Sequence, residues 1–140
     1  MPTEGQDLEE ELLIAFATDD EENLNDDHLG MARYFHVYRF CSGEAHFVEK
    51  RKNAEFTGDE SMKHGDPEKA RTTSSVLQGV DAVVGRKFGP NLPRLLKKFV
   101  CVLVRTDGID SAIEAVHSNM GRVYEEKSKQ EDRRHIVLKV

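Results

Sequence analysis

Two of the six histidines of this 140-residue chain stand in polar loops from which they could ligate a metal ion. His28 stands in the run Asp-His-Leu-Gly and His64 in Lys-His-Gly, so a glycine follows each within two residues. Imidazole is the commonest metal ligand in proteins, and exposed loop positions can reach a large ligand. The alternative is that both are ordinary loop residues, with His28 capped by the neighbouring acids. Residue type and position thus make His28 and His64 candidate metal ligands.

Acidic residues near the ends of predicted strands suggest a second chemistry. Asp19 and Asp20 follow the first predicted strand and Asp107 follows the last apolar one. Carboxylates at strand ends can hold Mg²⁺ for phosphoryl transfer, which would make the protein a magnesium-dependent hydrolase. However, Asp107-Gly108 is equally a turn, and Asp81 begins its strand instead of ending it. The simpler interpretation is that these acids lie in solvated loops.

A glycine-bounded turn, Gly85 to Asn91, precedes a predicted helix. Arg86 and Lys87 could help the N-terminus of that helix to bind an anion. The simpler explanation is that Gly85 and Gly89 permit a tight turn from strand to helix. The chain has no Walker A sequence, no Gly-x-Gly-x-x-Gly and no Gly-x-Ser-x-Gly, so the usual motifs of nucleotide binding and serine hydrolysis are missing.

The two cysteines do not suggest a zinc site or a disulfide framework. Cys41 and Cys101 lack the close pairs of a zinc finger or ribbon. Cys41 stands beside a predicted turn, and Cys101 lies inside an apolar strand, where cysteine usually behaves as a small hydrophobe. We therefore expect reduced thiols and no catalytic role for either cysteine.

Composition and charge narrow the classes of partner. Hydrophobic residues make up 38% of the chain and charged residues 33%, and no apolar run approaches the ~18 residues of a membrane-spanning helix. The formal net charge of -6 disfavours nucleic acid as a partner. The acidic N-terminus lacks the basic and apolar regions of a signal peptide. The sequence therefore predicts a cytoplasmic protein with no nucleic-acid or membrane partner.

The apolar and polar periodicities predict an α/β domain with the element order β-β-β-α-β-α-β-α. Helices between buried strands imply parallel pairing with right-handed crossovers, while the first three strands form an antiparallel part. Residues 1–11 are predicted to be disordered, 12–124 to form a single domain, and 125–140 to form a tail or an added edge strand. Predicted strands cover 12–18, 34–40, 81–85 and 100–106, with a third strand after residue 43, and predicted helices cover 67–78, 90–99 and 107–126.

The second and third strands are predicted to form a hairpin around Ser42-Gly43. A two-residue turn there sets the cross-strand pairs on one face of the hairpin. The predicted pairs are Cys41 with Glu44, Phe40 with Ala45, Tyr38 with Phe47, and His36 with Glu49.

Three segments, in this order, resemble the dinitrogenase iron–molybdenum cofactor biosynthesis family, which includes NifX-like and NifB C-terminal-like domains. HLGMARYFHVYRF resembles the family's His-Phe-Gly-Arg-Ala type motif and the aromatic strand after it. VDAVVGRKFGPNLPRLLKK resembles its strand, Gly-Pro turn and helix, and VCVLVRTDGIDSAIEAV resembles its closing strand and helix. The likeness spans roughly residues 12–120.

This resemblance implies a ribonuclease H-like α/β fold with a mixed five-stranded sheet and flanking helices. It also implies a non-catalytic carrier of the iron–molybdenum cofactor or of an iron–sulfur precursor cluster, working with a protein that donates or accepts that cofactor. A ligand-free protein-interaction domain and the magnesium-dependent hydrolase remain the alternatives.

The resemblance also implies the residues that would contact the cofactor. His28 and Gly30 match the motif, whereas Leu29 and Met31 stand where Phe and Arg are usual. On this interpretation iron is ligated by His28 and His64, and the negative charge of the cluster is stabilised near Gly30 with Arg33 or Arg86.

Overall fold

A mixed six-stranded sheet forms the centre of the protein, in the order β3-β2-β1-β4-β5-β6. The structure, a computed structural model, describes residues 11–41, 43–54 and 67–140. The strands are β1 (Leu12–Thr18), β2 (Tyr34–Cys41), β3 (Glu44–Lys52), β4 (Ala82–Gly85), β5 (Val100–Arg105) and β6 (Ile136–Lys139). The helices are α1 (Pro67–Val76), α2 (Leu92–Leu96), α3 (Ile109–His117) and α4 (Met120–Ser128), with short 3₁₀ turns at Leu29–Met31 and Gly89–Asn91.

The sheet has one strand more than the five that the family resemblance implies, and the sixth is the added edge strand that was one of the two alternatives for residues 125–140. β6 pairs in parallel with β5, and its residues Ile136 and Leu138 are buried on the face that α3 and α4 cover. Four residues that follow a polar segment give only a weak strand pattern, but burial of two large apolar side chains stabilises the added strand. The C-terminal segment thus contributes to the core.

The first three strands are antiparallel, as predicted, and their hairpin register is correct near the turn. Cys41 pairs with Glu44, and the next two predicted pairs also form. The register then shifts by one residue, so that His36 lies opposite Lys50 and not opposite Glu49. A β-bulge that leaves Val48 without a partner explains the difference, because it places two residues of β3 against one of β2.

Each face of the sheet carries its own core. In β1, Ile14 and Phe16 point to the face covered by α3 and α4, while Ala15 and Ala17 point to the face covered by α1 and α2. All four side chains are fully buried, which confirms the prediction that this apolar run is a strand buried on both faces.

The two crossovers that join consecutive parallel strands have opposite hands. Helix α2 connects β4 to β5 on one face, and α3 with α4 connects β5 to β6 on the other. Both connections step in the same direction along the sheet. The predicted right-handed crossover can therefore hold for only one of them, although that hand is strongly preferred in general.

The helix predicted over 107–126 is two helices. Helix α3 ends at His117, and α4 begins at Met120. Between them Asn119 leaves the helical conformation, and its side-chain amide donates a hydrogen bond to the Ala115 carbonyl at 2.7 Å. Asparagine competes for backbone groups in this way, which is why it favours helix ends.

Some of the predictions concern residues outside the described part of the chain. The predicted disordered segment lies outside the described residues except for Glu11, and His64 lies outside them as well. Among the described residues, no helix combines the length and the apolar composition needed to cross a bilayer.

Candidate functional site

The candidate site lies at the carboxyl ends of β1 and β4, where the topology opens a crevice. After β1 the chain turns to β2 on one side, and after β4 it continues to β5 on the other side. Open α/β sheets bind ligands at such switch points, because the connections diverge and leave the strand ends uncovered. The loop that follows β1, residues 19–33, is called the site loop below.

The site loop crosses the end of β4 and is fixed to the loops after β4 and β5. The main-chain N–H of Leu24 donates to the Asp107 carbonyl at 2.7 Å, and that of Ile109 donates to the Glu22 carbonyl at 2.9 Å. Further along, the N–H of Leu29 donates to the Lys87 carbonyl at 2.8 Å. Backbone hydrogen bonds at both ends of the crossing give the loop a defined position over the strand ends.

Asp20 organises the first turn of the site loop. Its Oδ1 accepts the main-chain N–H groups of Glu22 and Asn23 at 2.9 and 2.8 Å, and its Oδ2 accepts the Asn23 side-chain amide at 3.0 Å. These hydrogen bonds, led by the one from the Asn23 side chain, lower the pKa of the Asp20 carboxyl to about 2. They support a backbone in which Glu21 has a φ of +70°, a conformation that is unfavourable for a non-glycine residue.

Acid is expected to remove the contribution of Asp20 to stability. Its pKa is lower in the folded protein than the ordinary 3.8, so its contribution is fully present above about pH 4 and is lost as the pH falls towards 2. The urea midpoint of Asp20→Ala should therefore lie below that of wild type at pH 6, and the difference should become much smaller near pH 2. Glu125→Ala, which removes an exposed carboxylate of α4, is the control. A difference that persists unchanged at pH 2 would contradict the expectation.

The imidazole of His28 lies directly against Gly89. A Cβ atom built on Gly89 would lie 2.4 Å from His28 Nδ1, so only glycine leaves room for the ring. Within the described chain, neither ring nitrogen of His28 has a hydrogen-bond partner, and the side chain is partly exposed. The arrangement gives a sterically fixed imidazole with a free nitrogen, which is what a metal ligand requires.

The main chain on both sides of the His28 ring is also fixed. The N–H of His28 donates to Asp27 Oδ1 at 2.7 Å, and its carbonyl accepts the side-chain amide of Asn25 at 3.1 Å. Asn25 is buried, and its Oδ1 has no hydrogen-bond partner among the described residues. Nothing in the sequence singled out Asn25 from the other polar residues of the loop.

Gly30 lies against the side chain of a buried lysine. A Cβ on Gly30 would lie 3.0 Å from Lys69 Cε and 3.1 Å from Thr73 Oγ1, both on α1. Lys69 is 6% exposed. The Asn53 amide donates to the carbonyls of Gly30 and Ala32 at 2.9 and 2.8 Å. The structure therefore adds a buried cation next to the predicted motif, at a position for which the sequence pattern gave no signal.

Arg86 lies at the same edge but is held between acids. Its guanidinium is 3.4 Å from Asp26 and 3.2 Å from Asp107, and Lys87 Nζ is 3.5 Å from Asp26. Asp26, Arg86 and Asp107 line a groove of about 480 Å³, together with Asp19 and Asp20. The charge of Arg86 is thus offset by two carboxylates, and the Asp20 oxygens are occupied by main-chain N–H groups of the loop and by the Asn23 side chain.

The other candidates are more distant or serve the loop. Arg33 is exposed, and its main-chain N–H donates to Asp19 Oδ1 at 2.9 Å. Cys41 ends β2 beside the start of β1, at the strand ends opposite the site. The length of β1 separates it from the site by about 20 Å at ~3.3 Å per residue. Burial raises the pKa of the Cys101 thiol to about 12, so that thiol is protonated at neutral pH.

The donor set of the site is small. Among the described residues no three His, Cys, Asp or Glu side chains converge into a group that could hold a metal ion. What the structure does bring together is the His28 imidazole, the Gly30 segment and the Arg86–Lys87 turn. This set suits a ligand attached at one point to iron, since imidazole is a good iron ligand, and does not suit a metal ion enclosed by several protein ligands.

Comparison with known protein families, though not with individual curated proteins, agrees with this set of motifs. No curated protein sequence matches the chain significantly. The family model described as dinitrogenase iron-molybdenum cofactor matches residues 10–119, which include β1 to β5, the whole site loop and α3. Because this match covers well over half of the chain, the protein belongs to the dinitrogenase iron-molybdenum cofactor family.

Proposed function

We propose that this protein is a non-catalytic carrier that binds the iron–molybdenum cofactor or an iron–sulfur precursor of it. It receives this cargo from a donor protein and passes it to an acceptor protein in the cytoplasm. His28 ligates an iron atom of the cluster, and the Gly30 segment, with Arg86 and Lys87, forms the surrounding surface.

The observation that supports this proposal most directly is the position of His28. Its ring packs on Gly89 and lies between fixed main-chain segments, yet it has no hydrogen-bond partner in the described chain. Cluster iron accepts imidazole as well as thiolate. A single imidazole also suits a carrier, because a cluster attached at one point is released more easily than one enclosed by several ligands.

The charges near His28 limit how an anionic cluster would bind. Asp26 and Asp107 already pair with Arg86, so the groove that these groups line is acidic overall. A cluster attached to His28 is therefore expected to avoid the groove and to lie on the side of the Gly30 segment.

The carboxylates give less support to a magnesium-dependent hydrolase. Both oxygens of Asp20 accept hydrogen bonds from its own loop, and Asp107 pairs with Arg86. An arginine between two carboxylates occupies the position that a cation would need. The net charge of -6 in turn favours protein partners over nucleic acid.

Anaerobic titration of the purified protein with isolated iron–molybdenum cofactor, and separately with an iron–sulfur precursor cluster, tests the proposal. We expect a one-to-one complex with visible cluster absorption and matching iron content after gel filtration. Bovine serum albumin at the same concentration controls for nonspecific adsorption of the cluster. If the protein retains no more iron than albumin does, the carrier function is wrong, and the ligand-free interaction domain becomes the better explanation.

A further inference from the structure

We infer that Gly89 is the positioning residue for His28, the imidazole through which the cargo attaches. This inference rests on the proposed function, because it assigns the attachment point of the same site. The two residues are 61 positions apart in the chain, so the contact is a property of the fold.

The steric evidence for the contact is direct. A Cβ on Gly89 would lie 2.4 Å from Nδ1 and 2.7 Å from both Cε1 and Cγ of His28, whereas real Cβ atoms essentially never show contacts under 3.0 Å. Gly89 also has a φ of +75°, which disfavours any side chain. Both the space and the backbone conformation therefore require glycine here.

The contact cannot be relieved by a simple shift of one loop. The N–H of Leu29 donates to the Lys87 carbonyl at 2.8 Å, which joins the two segments on either side of the His28–Gly89 contact. The Leu29 side chain in turn lies against Gly85, where a Cβ would be 3.1 Å from its Cδ1. A side chain at position 89 is therefore expected to displace the imidazole, which is partly exposed, before it separates the loops.

The Gly89 position lies over the face of the imidazole. It is 2.4 Å from Nδ1 and 2.7 Å from each of the two carbons bonded to Nδ1, distances that place it almost directly above that nitrogen and out of the ring plane. Gly89 therefore fixes the plane of the ring, while neither ring nitrogen has a hydrogen-bond partner in the described chain.

Gly89→Ala tests the inference, with Gly79→Ala as a matched control. Gly79 has a φ of +84°, and a Cβ built on it would meet no atom within 4 Å, so its substitution introduces the backbone strain without the contact. We expect Gly89→Ala to weaken cluster binding about 10–100-fold, as loss of support for a metal ligand typically does. Gly79→Ala should bind as wild type. Equal binding by Gly89→Ala and wild type would overturn the positioning role.

Two measurements without cargo separate this inference from the proposed function. In ¹H–¹⁵N spectra, Gly89→Ala should shift the His28 ring resonances, whereas Gly79→Ala should leave them in place. Gly89→Ala should also lower Tm more in wild type than in a His28→Ala background, because removal of the ring removes the clash. Unshifted resonances and equal Tm losses would refute the contact, even if wild type binds no cluster and the carrier function fails.

Discussion

Replacing Phe16 by alanine is expected to lower the free energy of unfolding by about 3–5 kcal/mol, the usual cost of truncating a buried phenylalanine. Phe16 is fully buried in the centre of β1, edge-on to Tyr38 at a centroid distance of 5.5 Å and stacked on Phe40 at 6.2 Å. The variant would lose transfer free energy and two ring contacts, and it would leave a cavity between the sheet and α3. This is a large part of the roughly 5–15 kcal/mol that typically stabilises a domain.

Urea unfolding followed by circular dichroism measures this loss, and Phe47→Ala provides the matched control. Phe47 is 54% exposed on β3, although its ring also contacts His36 and Tyr38. The same substitution there should cost only about 1 kcal/mol, which is the scale of such aromatic contacts alone. Equal losses for the two variants, at unchanged m-values, would show that Phe16 is not a central core residue.

The local chemistry of the sequence was sufficient to predict the hairpin, though not its irregularity. Ser42-Gly43 predicts a two-residue turn, and Gly43 has the positive φ, +81°, that such a turn favours. A two-residue turn correctly predicts the cross-strand pairs that lie next to it. The bulge beyond Tyr38 depends on how β3 packs as an edge strand, and residue types do not encode this locally.

The last strand and the last helix were decided at different ranges along the chain. Residues 125–140 were predicted to form a tail or an added edge strand, and β6 forms because Ile136 and Leu138 are buried beside β5, a contact that an isolated four-residue run does not reveal. The break between α3 and α4 is local, since the Asn119 amide donates to the carbonyl of Ala115 only four residues earlier.

The acidic residues of the site loop are exposed, as predicted, and three of their carboxylates also build the loop. Asp19, Asp20 and Asp27 each accept a main-chain N–H from within residues 20–33. Carboxylates that accept backbone hydrogen bonds stabilise turns that would otherwise leave N–H groups unpaired. The charge near the site is therefore in large part a consequence of how the loop folds.

For the candidate site, the sequence supplied the residues but not their proximity. His28 and Arg86 were each singled out, as was the glycine-bounded turn, and the structure brings these segments together at one edge of the sheet. The contact of His28 with Gly89 and the burial of Lys69 beside Gly30 could not be inferred, because each joins residues distant in the chain. A single sequence shows which residue types are present, whereas the switch-point topology determines which of them meet.

Replacing His28 by alanine is expected to abolish stoichiometric cluster binding, with a loss of affinity of about 100-fold or more. Changes that only weaken the support of a metal ligand already cost about 10–100-fold, so loss of the ligand itself should cost at least as much. The fold should persist, because the ring is partly exposed and makes no hydrogen bond among the described residues. We expect the free energy of unfolding to change by no more than about 1 kcal/mol.

The measurement is anaerobic cluster titration of His28→Ala and of His46→Ala, each with urea unfolding as a test of folding. His46 is exposed on β3 and pairs in register with Arg39. This pair lies near the β2–β3 turn, towards the strand ends that are opposite the site. Its removal changes the histidine content equally but should leave binding unchanged. If both variants bind as wild type does, His28 is not the attachment point. If both lose binding equally, the cluster is held by the general histidine content of the surface, and the crevice at β1 and β4 has no special role.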